Sequence, residues 1–373
     1  MERIEGNTGD LLLLLTLVTL IGLGAAVLFS ASYPYAQAVF RDPYYFLKRQ
    51  LLWILIGTAS ALIAAQVPLD LVRRSVPLLV AGAFVLMLLT FVPGIGLPIQ
   101  GARRWVFFFG ISFEPSELVK LTLVVYLASI FSKKQDRIDD AVNALLPPLL
   151  VAAVFVALTY MQNDFSTAFF ILVIALAMFL VAQVRVAYLL LLSVLVVPLG
   201  GVMLFTKTHR VRRLMAYLNP LADPQGSGYQ VIASQTALSG GGLWGRGMGK
   251  GIKKLGGLPE AHSDFIFAVV GEEAGFLGAL FVLLLFVLFA WRGYGIAFRA
   301  EDSFQRYLAF GLTTVVFLQA MLNIAVVAGL VPATGIPLPF FSSGGSSMLI
   351  SLTACGLLIN LSRIRPHRGR RFQ

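Results

Sequence analysis

Charge is what this sequence has least of. Asp, Glu, Lys and Arg make up 13% of the 373 residues while 58% are hydrophobic, against roughly 25% charge in an ordinary soluble domain. That imbalance excludes a water-soluble globular enzyme and indicates an all-α polytopic membrane protein, in keeping with a mean hydropathy of +0.84. A single cysteine, Cys355, excludes an internal disulfide and a cysteine metal cage. The three histidines, His209, His262 and His367, are too scattered for a zinc spacing. No inverted-topology repeat is visible, which weighs against a two-halved transporter. Acids are scarcer than bases, and the formal net charge is +11. In a soluble protein such a balance suggests nucleic acid; here the membrane accounts for it, and no nucleic-acid partner is expected.

What the chain has in abundance is apolar runs near the length of about 20 residues that spans a bilayer. They fall near 11–31, 46–66, 75–93, 115–132, 144–161, 165–183, 187–206, 265–291, 305–331 and 343–362, which predicts ten transmembrane helices. The first is too long for a signal-peptide core and lacks a basic leader, so it reads as a retained helix. With the N-terminus inside, short inner loops and termini hold fifteen Lys and Arg against five in short outer loops. Both termini are therefore expected in the cytoplasm. The basic tail, 363–373, reads as a cytoplasmic anchor facing anionic lipid.

Residues 207–264 form a large outer loop between the seventh and eighth spans, with eight basic residues against three acidic ones. A structureless connection of that length is uncommon, so partly buried or surface helices are expected in it. Its GRGMGKG run (245–251) has the flavour of a phosphate loop. The register fails, because Trp244 and Gly251 stand where Gly and Ser or Thr are needed.

Ionisable residues at membrane depth are functional candidates by default. Glu117 and Lys120, three apart, share a helix face and either pair structurally or meet a substrate. Asp164, in QNDFST, either caps the sixth spanning helix or helps to build a polar pocket. Asp264 lies where the basic loop meets the eighth span; partial desolvation there suits a carboxylate to accept a proton, while a plain helix cap is the alternative. Glu272 is eight residues on, near the same face, and Glu273 points roughly opposite; both read as structural hydrogen-bonding groups. Between the last two spans, Pro332, Pro337 and Pro339 break any helix, and Ser343 and Ser346 sit at a helix start that either receives an anion or simply packs.

Four stretches together carry a resemblance. GARRW (101–105) with EPSELVKL (114–121), RVRRLMAYLNPLADPQGSGYQ (210–230), GLWGRGMGKGIKKLGGLPEAHSDFIFAVVGEE (242–273) and GIPLPFFSSGGSSML (335–349) resemble the SEDS family, the FtsW, RodA and SpoVE group of bacterial cell-wall polymerases, and the wording is closer to the FtsW branch than to RodA. The resemblance implies one SEDS transmembrane domain over 1–373 in the bacterial inner membrane. It implies polymerisation of lipid II into glycan strands beside a class B penicillin-binding protein and other division or elongation membrane proteins. It carries the family's essential carboxylate onto Asp264, as general base or as ligand of a divalent cation, Mg²⁺ or Mn²⁺; no other cofactor is implied. Arg210, Arg212, Arg213, Arg246, Lys250, Lys253 and Lys254, with His262, Ser343 and Ser346, are then the expected substrate and pyrophosphate contacts. QNDFST departs from the family's usual wording there, with Asp164 and Thr167 matching. A lipid II flippase and a non-catalytic scaffold remain alternatives.

Overall fold

The computed structural model describes residues 10–99, 101–108, 110–134, 145–226 and 228–363. The first nine residues, the connection around Arg137 and the basic tail beyond Arg363 lie outside them. Among the described residues, ten apolar helices fall in order at the ten expected runs: α1 (Leu11–Phe40), α2 (Tyr45–Ala64), α4 (Val76–Leu89), α5 (Pro115–Lys133), α6 (Leu146–Met161), α7 (Phe165–Val181), α8 (Val186–Phe205), α11 (Ile266–Arg299), α12 (Ser303–Val327) and α13 (Gly345–Ser362). Of these, α1, α2, α5, α11, α12 and α13 are each long and apolar enough to cross a membrane. Short α3 (Leu69–Arg74) leads into α4.

Burial sorts the bundle. The apolar window of α5 is 72% buried and that of α2 only 11%, so α5 is the central post and α2 a peripheral helix. α5 packs against α12, α4 and α7, and α2 against α13. The outward faces of α1 and α2 carry exposed Leu, Ile and Val, which lipid covers at no hydrophobic cost.

The helical expectation holds, with one addition. Between α4 and α5 the chain forms a small antiparallel sheet, β1 (Gly96–Ile99), β2 (Ala102–Phe108) and β3 (Ile111–Phe113), in the order β1-β2-β3. Gly101 and Gly110, at φ +79° and +80°, supply the left-handed turn positions, and the β-branched and aromatic residues between them favour a pleated strand. Backbone bonding ties the sheet to the α6–α7 turn, with the Arg103 amide donating to the Gln162 carbonyl at 3.0 Å.

The large loop is helical in part. It holds α9 (Thr208–Leu218) and α10 (Tyr229–Gly240), with short 3₁₀ turns at Pro220–Ala222 and Lys253–Leu255. Beyond α10 its glycine-rich segment is spliced into α11. At Gly275 the helix takes φ 69°, ψ −168°, so two of its own bonds are exchanged for bonds to the loop. The amides of Phe276 and Leu277 donate to the Gly242 and Leu243 carbonyls at 2.9 and 3.2 Å, and the amides of Arg246 and Gly247 donate to the freed Glu272 and Glu273 carbonyls at 3.1 and 3.0 Å. A chain segment inserted into the hydrogen-bond ladder is a sufficient cause of the kink. Glycine is required on both sides: a Cβ at Gly245 would meet the Glu273 carbonyl oxygen at 2.1 Å, and one at Gly275 the Gly245 amide nitrogen at 2.3 Å.

Candidate active site

At one end of α5 the sheet, the starts of α7, α11 and α13, and the 335–347 segment enclose a partly open cavity. Its lining includes Arg104, Trp105, Glu114, Glu117, Lys120, Thr167, Asp264, Ser343 and Ser346. Five residues singled out in the sequence thus face one chamber: Asp264, Glu117, Lys120, Ser343 and Ser346.

Asp264 precedes α11 by two residues, and its side chain does not cap that helix. Its Oδ1 accepts from the Ser263 hydroxyl at 3.0 Å. Burial pushes its pKa above the usual carboxylate value; Ser263, Arg104 and Arg213 oppose that rise, and Glu260 adds to it. The backbone is held from α12, where Asn323 Nδ2 donates to the carbonyls of both Asp264 and Ile336 at 2.8 Å. Gly335 stands opposite at φ +75°, and a Cβ there would lie 3.4 Å from Asp264 Oδ2. A left-handed glycine leaves the carboxylate an open face.

Glu117 and Lys120 form a buried ion pair at 2.7 Å. Lys120 Nζ also donates to Gln319 Oε1 at 2.6 Å and lies 5.5 Å from the Phe170 ring centroid. Both expected roles are therefore compatible with one geometry, since the pair crosses from α5 towards α12 while lining the cavity. Asp164 likewise does two things. Its Oδ1 accepts from the Thr167 amide at 3.0 Å, capping α7, and its Oδ2 accepts from Arg104 at 3.1 Å.

Sequence reasoning passes over Glu114 as a site group and takes Arg104 only as an outer-loop contact for glycan or headgroups. Burial works against the Arg104 charge, but Glu114, Asp164 and Asp264 outweigh it and raise its pKa. Glu114, just before α5, is pushed up to about 7, first by burial and further by Glu117 and Asp164, with Arg104 and Lys120 opposing. Its amide donates to Ser346 Oγ at 2.9 Å, tying the sheet to the start of α13. The available signal was position: Glu114 stands three residues before Glu117, within the motif already quoted.

The basic loop residues do not converge on the cavity. Lys254 is buried and its ammonium is committed, donating to Glu273 Oε1 at 2.6 Å and Ser30 Oγ at 2.8 Å. Arg210 is buried too; it donates to the Met203 carbonyl at 2.8 Å and stacks over Tyr160 and Phe165. Arg246 Nε donates to the Gly240 carbonyl at 3.0 Å. Arg212, Arg213 and Lys250 are exposed and Lys253 is half-buried; of these, Arg213 is near enough to act on the Asp264 charge. His262 stacks on Tyr35 at 5.1 Å between centroids, and its pKa is lowered by burial, with Asp264 opposing. Glu272 and Glu273 bind the loop rather than the cavity: the Ile252 amide donates to Glu272 at 2.9 Å and the Gly249 amide to Glu273 at 3.0 Å. The splice at Gly275 wraps the loop around both acids. Among the described residues no group of three His, Cys, Asp or Glu side chains is arranged to hold a metal ion. Glu117 is taken by Lys120, so the donor set does not form a resident divalent site.

A helical bundle closed at one end by a small sheet and a spliced loop, over a polar chamber lined by a poorly neutralised carboxylate and two cations, Arg104 and Lys120, defines a polytopic membrane protein with a candidate site at one end. The comparisons make the class specific. The cell cycle protein family of FtsW, RodA and SpoVE matches residues 10–367, and the chain belongs to that family. A probable peptidoglycan glycosyltransferase FtsW of Geobacter sp. (strain M18) is 42% identical over 97% of this chain and 98% of its own. A chain from a structure titled "Structural coordination of polymerization and crosslinking by a peptidoglycan synthase complex" superposes with a TM-score of 0.78 at 27% identity, covering 96% of this chain and 99% of the other. The rod shape determining protein RodA of Thermus thermophilus gives a TM-score of 0.68 at 25% identity, covering 97% and 98%. The protein is a multi-pass membrane protein of the bacterial inner membrane.

Proposed function

We propose that the chain is a peptidoglycan glycosyltransferase that polymerises lipid II in the Asp264 cavity, and that it does so beside a class B penicillin-binding protein. The observation that carries the reading is Asp264 itself: a carboxylate lining the cavity, with a raised pKa, within electrostatic reach of Arg104 and Arg213. In the reaction a sugar 4-hydroxyl attacks the anomeric carbon of the growing lipid-linked chain. The new C–O bond forms as the bond to the diphosphate breaks and the lipid diphosphate leaves with the electron pair. Asp264 takes the hydroxyl proton, a task for which a carboxylate of raised pKa is better matched than an ordinary one. Arg104, Lys120 and Arg213 are the cations placed to offset the diphosphate charge, which in a partly desolvated chamber interacts more strongly than in water. Lys254 and Arg210 drop out of that set because neither lines the cavity: Lys254 is bonded to Glu273 and Ser30, and Arg210 lies over the Tyr160 and Phe165 rings.

Full-length protein in proteoliposomes with labelled lipid II and its penicillin-binding partner tests this. Glycan polymer is expected from the wild type, and Asp264→Asn should lower the rate by roughly 10²- to 10⁴-fold, the usual contribution of a positioned base. Polymer at the wild-type rate from folded Asp264→Asn would reject the assignment. Transbilayer movement of lipid II without polymer would make the protein a flippase instead.

A further inference from the structure

The lipid-facing part of α11 has a sharp end. From Ile266 to Glu273 each side chain is buried in protein. Beyond Gly275, Phe276, Phe281, Leu284 and Trp291 are 57%, 50%, 53% and 64% exposed. No charged residue occurs between Glu273 and Arg292. At 1.5 Å per residue the uncharged stretch from Gly275 to Trp291 rises about 25 Å, close to the ~30 Å of a hydrocarbon core. Gly275 thus marks one edge of the hydrocarbon layer, and the spliced loop lies at that edge.

The loop's surface is unlike that of a water-facing connection. Leu243, Trp244, Met248, Ile252 and Leu255 are 64%, 81%, 56%, 58% and 66% exposed. Arg246, Lys250 and Lys253 are interleaved with them, and residues 241–257 contain no acid. A patch of that kind exposed to water marks an interaction surface, and aromatic, aliphatic and basic residues mixed in one segment suit the boundary between acyl chains and headgroups. We propose that the 242–255 loop is a membrane-interface anchor, seated among anionic phospholipid headgroups of the leaflet at the cavity end. Lipid is the occupant because the patch runs on from the lipid-facing stripe of α11 and because its charge is wholly positive. Each cation near an anionic bilayer surface adds to the attraction.

The splice gives the anchor its use. Four backbone bonds, the Glu272 and Glu273 carboxylates and the buried Lys254 ammonium fix the loop to α11. Ile266, two residues after Asp264, and Gly275 are nine residues apart, roughly 14 Å of helix. Anchoring the loop therefore sets the height of the cavity mouth above the hydrocarbon. The inference stands on the lipid contact alone and survives if the catalytic reading fails.

A fluorescent reporter tests it. Trp244→Cys, in full-length protein also carrying Cys355→Ala because Cys355 is the free cysteine and is buried, is labelled with an environment-sensitive dye. The protein is then reconstituted alone in phosphatidylcholine vesicles with or without phosphatidylglycerol. Expected are blue-shifted emission, quenching by lipids brominated high on the acyl chain, protection from iodide, and severalfold stronger lipid quenching once phosphatidylglycerol is present. Lys250→Gln with Lys253→Gln should abolish the phosphatidylglycerol increment. A second reporter at Met248→Cys guards against local misfolding at the first, with monodisperse elution required of both. Iodide quenching like that of free dye in both vesicles would overturn the proposal. So would shielding that arises only after a penicillin-binding partner is added, which would make the patch a protein-docking face. An increment produced by undecaprenyl diphosphate and not by phosphatidylglycerol would assign the cations to substrate and likewise reject it.

Discussion

At its start α11 presents Asp264 to open space, with a hydrogen bond from Ser263 and Arg104 and Arg213 acting from a distance. About two turns further on, Glu273 receives bonds from Ser30, the Gly249 amide and Lys254, and Glu272 receives the amides of Ile252 and Lys253. Both places join carboxylates and cations at the foot of one basic loop, yet only the first leaves an acid short of partners. A buried charge that is fully bonded holds structure, and removing one partner is costly because the other is stranded. A charge left under-bonded beside a cavity is available for chemistry. Type and spacing do not separate the two; the supply of donors does.

Substitutions can break that comparison. The largest expected effect is the loss of glycan synthesis in Asp264→Asn, with thermal stability within about 1 kcal/mol of wild type, since no buried partner is stranded. Lys254→Met should do the reverse: it leaves Glu273 uncompensated, at a cost of about 3–5 kcal/mol, visible as a lower midpoint in a detergent melt, while molecules still folded keep the wild-type pH profile. Lys120→Met falls between the two. It strands Glu117 at a similar cost and also removes a cavity cation, so both midpoint and turnover should drop; turnover unchanged in the folded fraction would confine the pair to packing.

A smaller effect concerns pH. Glu114 is raised from 4.5 to about 7, so its protonated form is the one that folding favours. The stabilisation is complete below about 4.5 and is lost as pH climbs through about 7. The wild-type midpoint should therefore decline between pH 5 and pH 8, by an amount bounded at about 3 kcal/mol, and Glu114→Gln should flatten the decline. Equal slopes in the two proteins would place the titration elsewhere. The smallest effect is expected from Gly335→Ala, where a side chain at φ +75° costs about 1 kcal/mol and crowds Asp264. Polymerisation should fall a fewfold, read as a rise in KM for lipid II.

Much of the helical layout was legible, because bilayer thickness writes itself into run length and an uncharged run of 20 residues has few other uses. The sheet was not, since three short strands rich in Phe and Val read as one more apolar loop beside a helix; Gly101 and Gly110 were the available turn signals. Asp264, Glu117 and Lys120 could be picked out because charge beside a membrane span is rare. The meeting of Arg104 with Glu114 could not be read, as it depends on how the sheet folds back over α5. Lys254 misled for the opposite reason. Counting cations in a basic loop says nothing of burial, and this one points inward to Ser30 and Glu273.

Asn323 on α12 holds two walls with one amide group. Since the same nitrogen grips the chain at Asp264 and at Ile336, any rocking of α12 moves acid and facing wall as a unit. The spacing between them is thus tied to a single side chain.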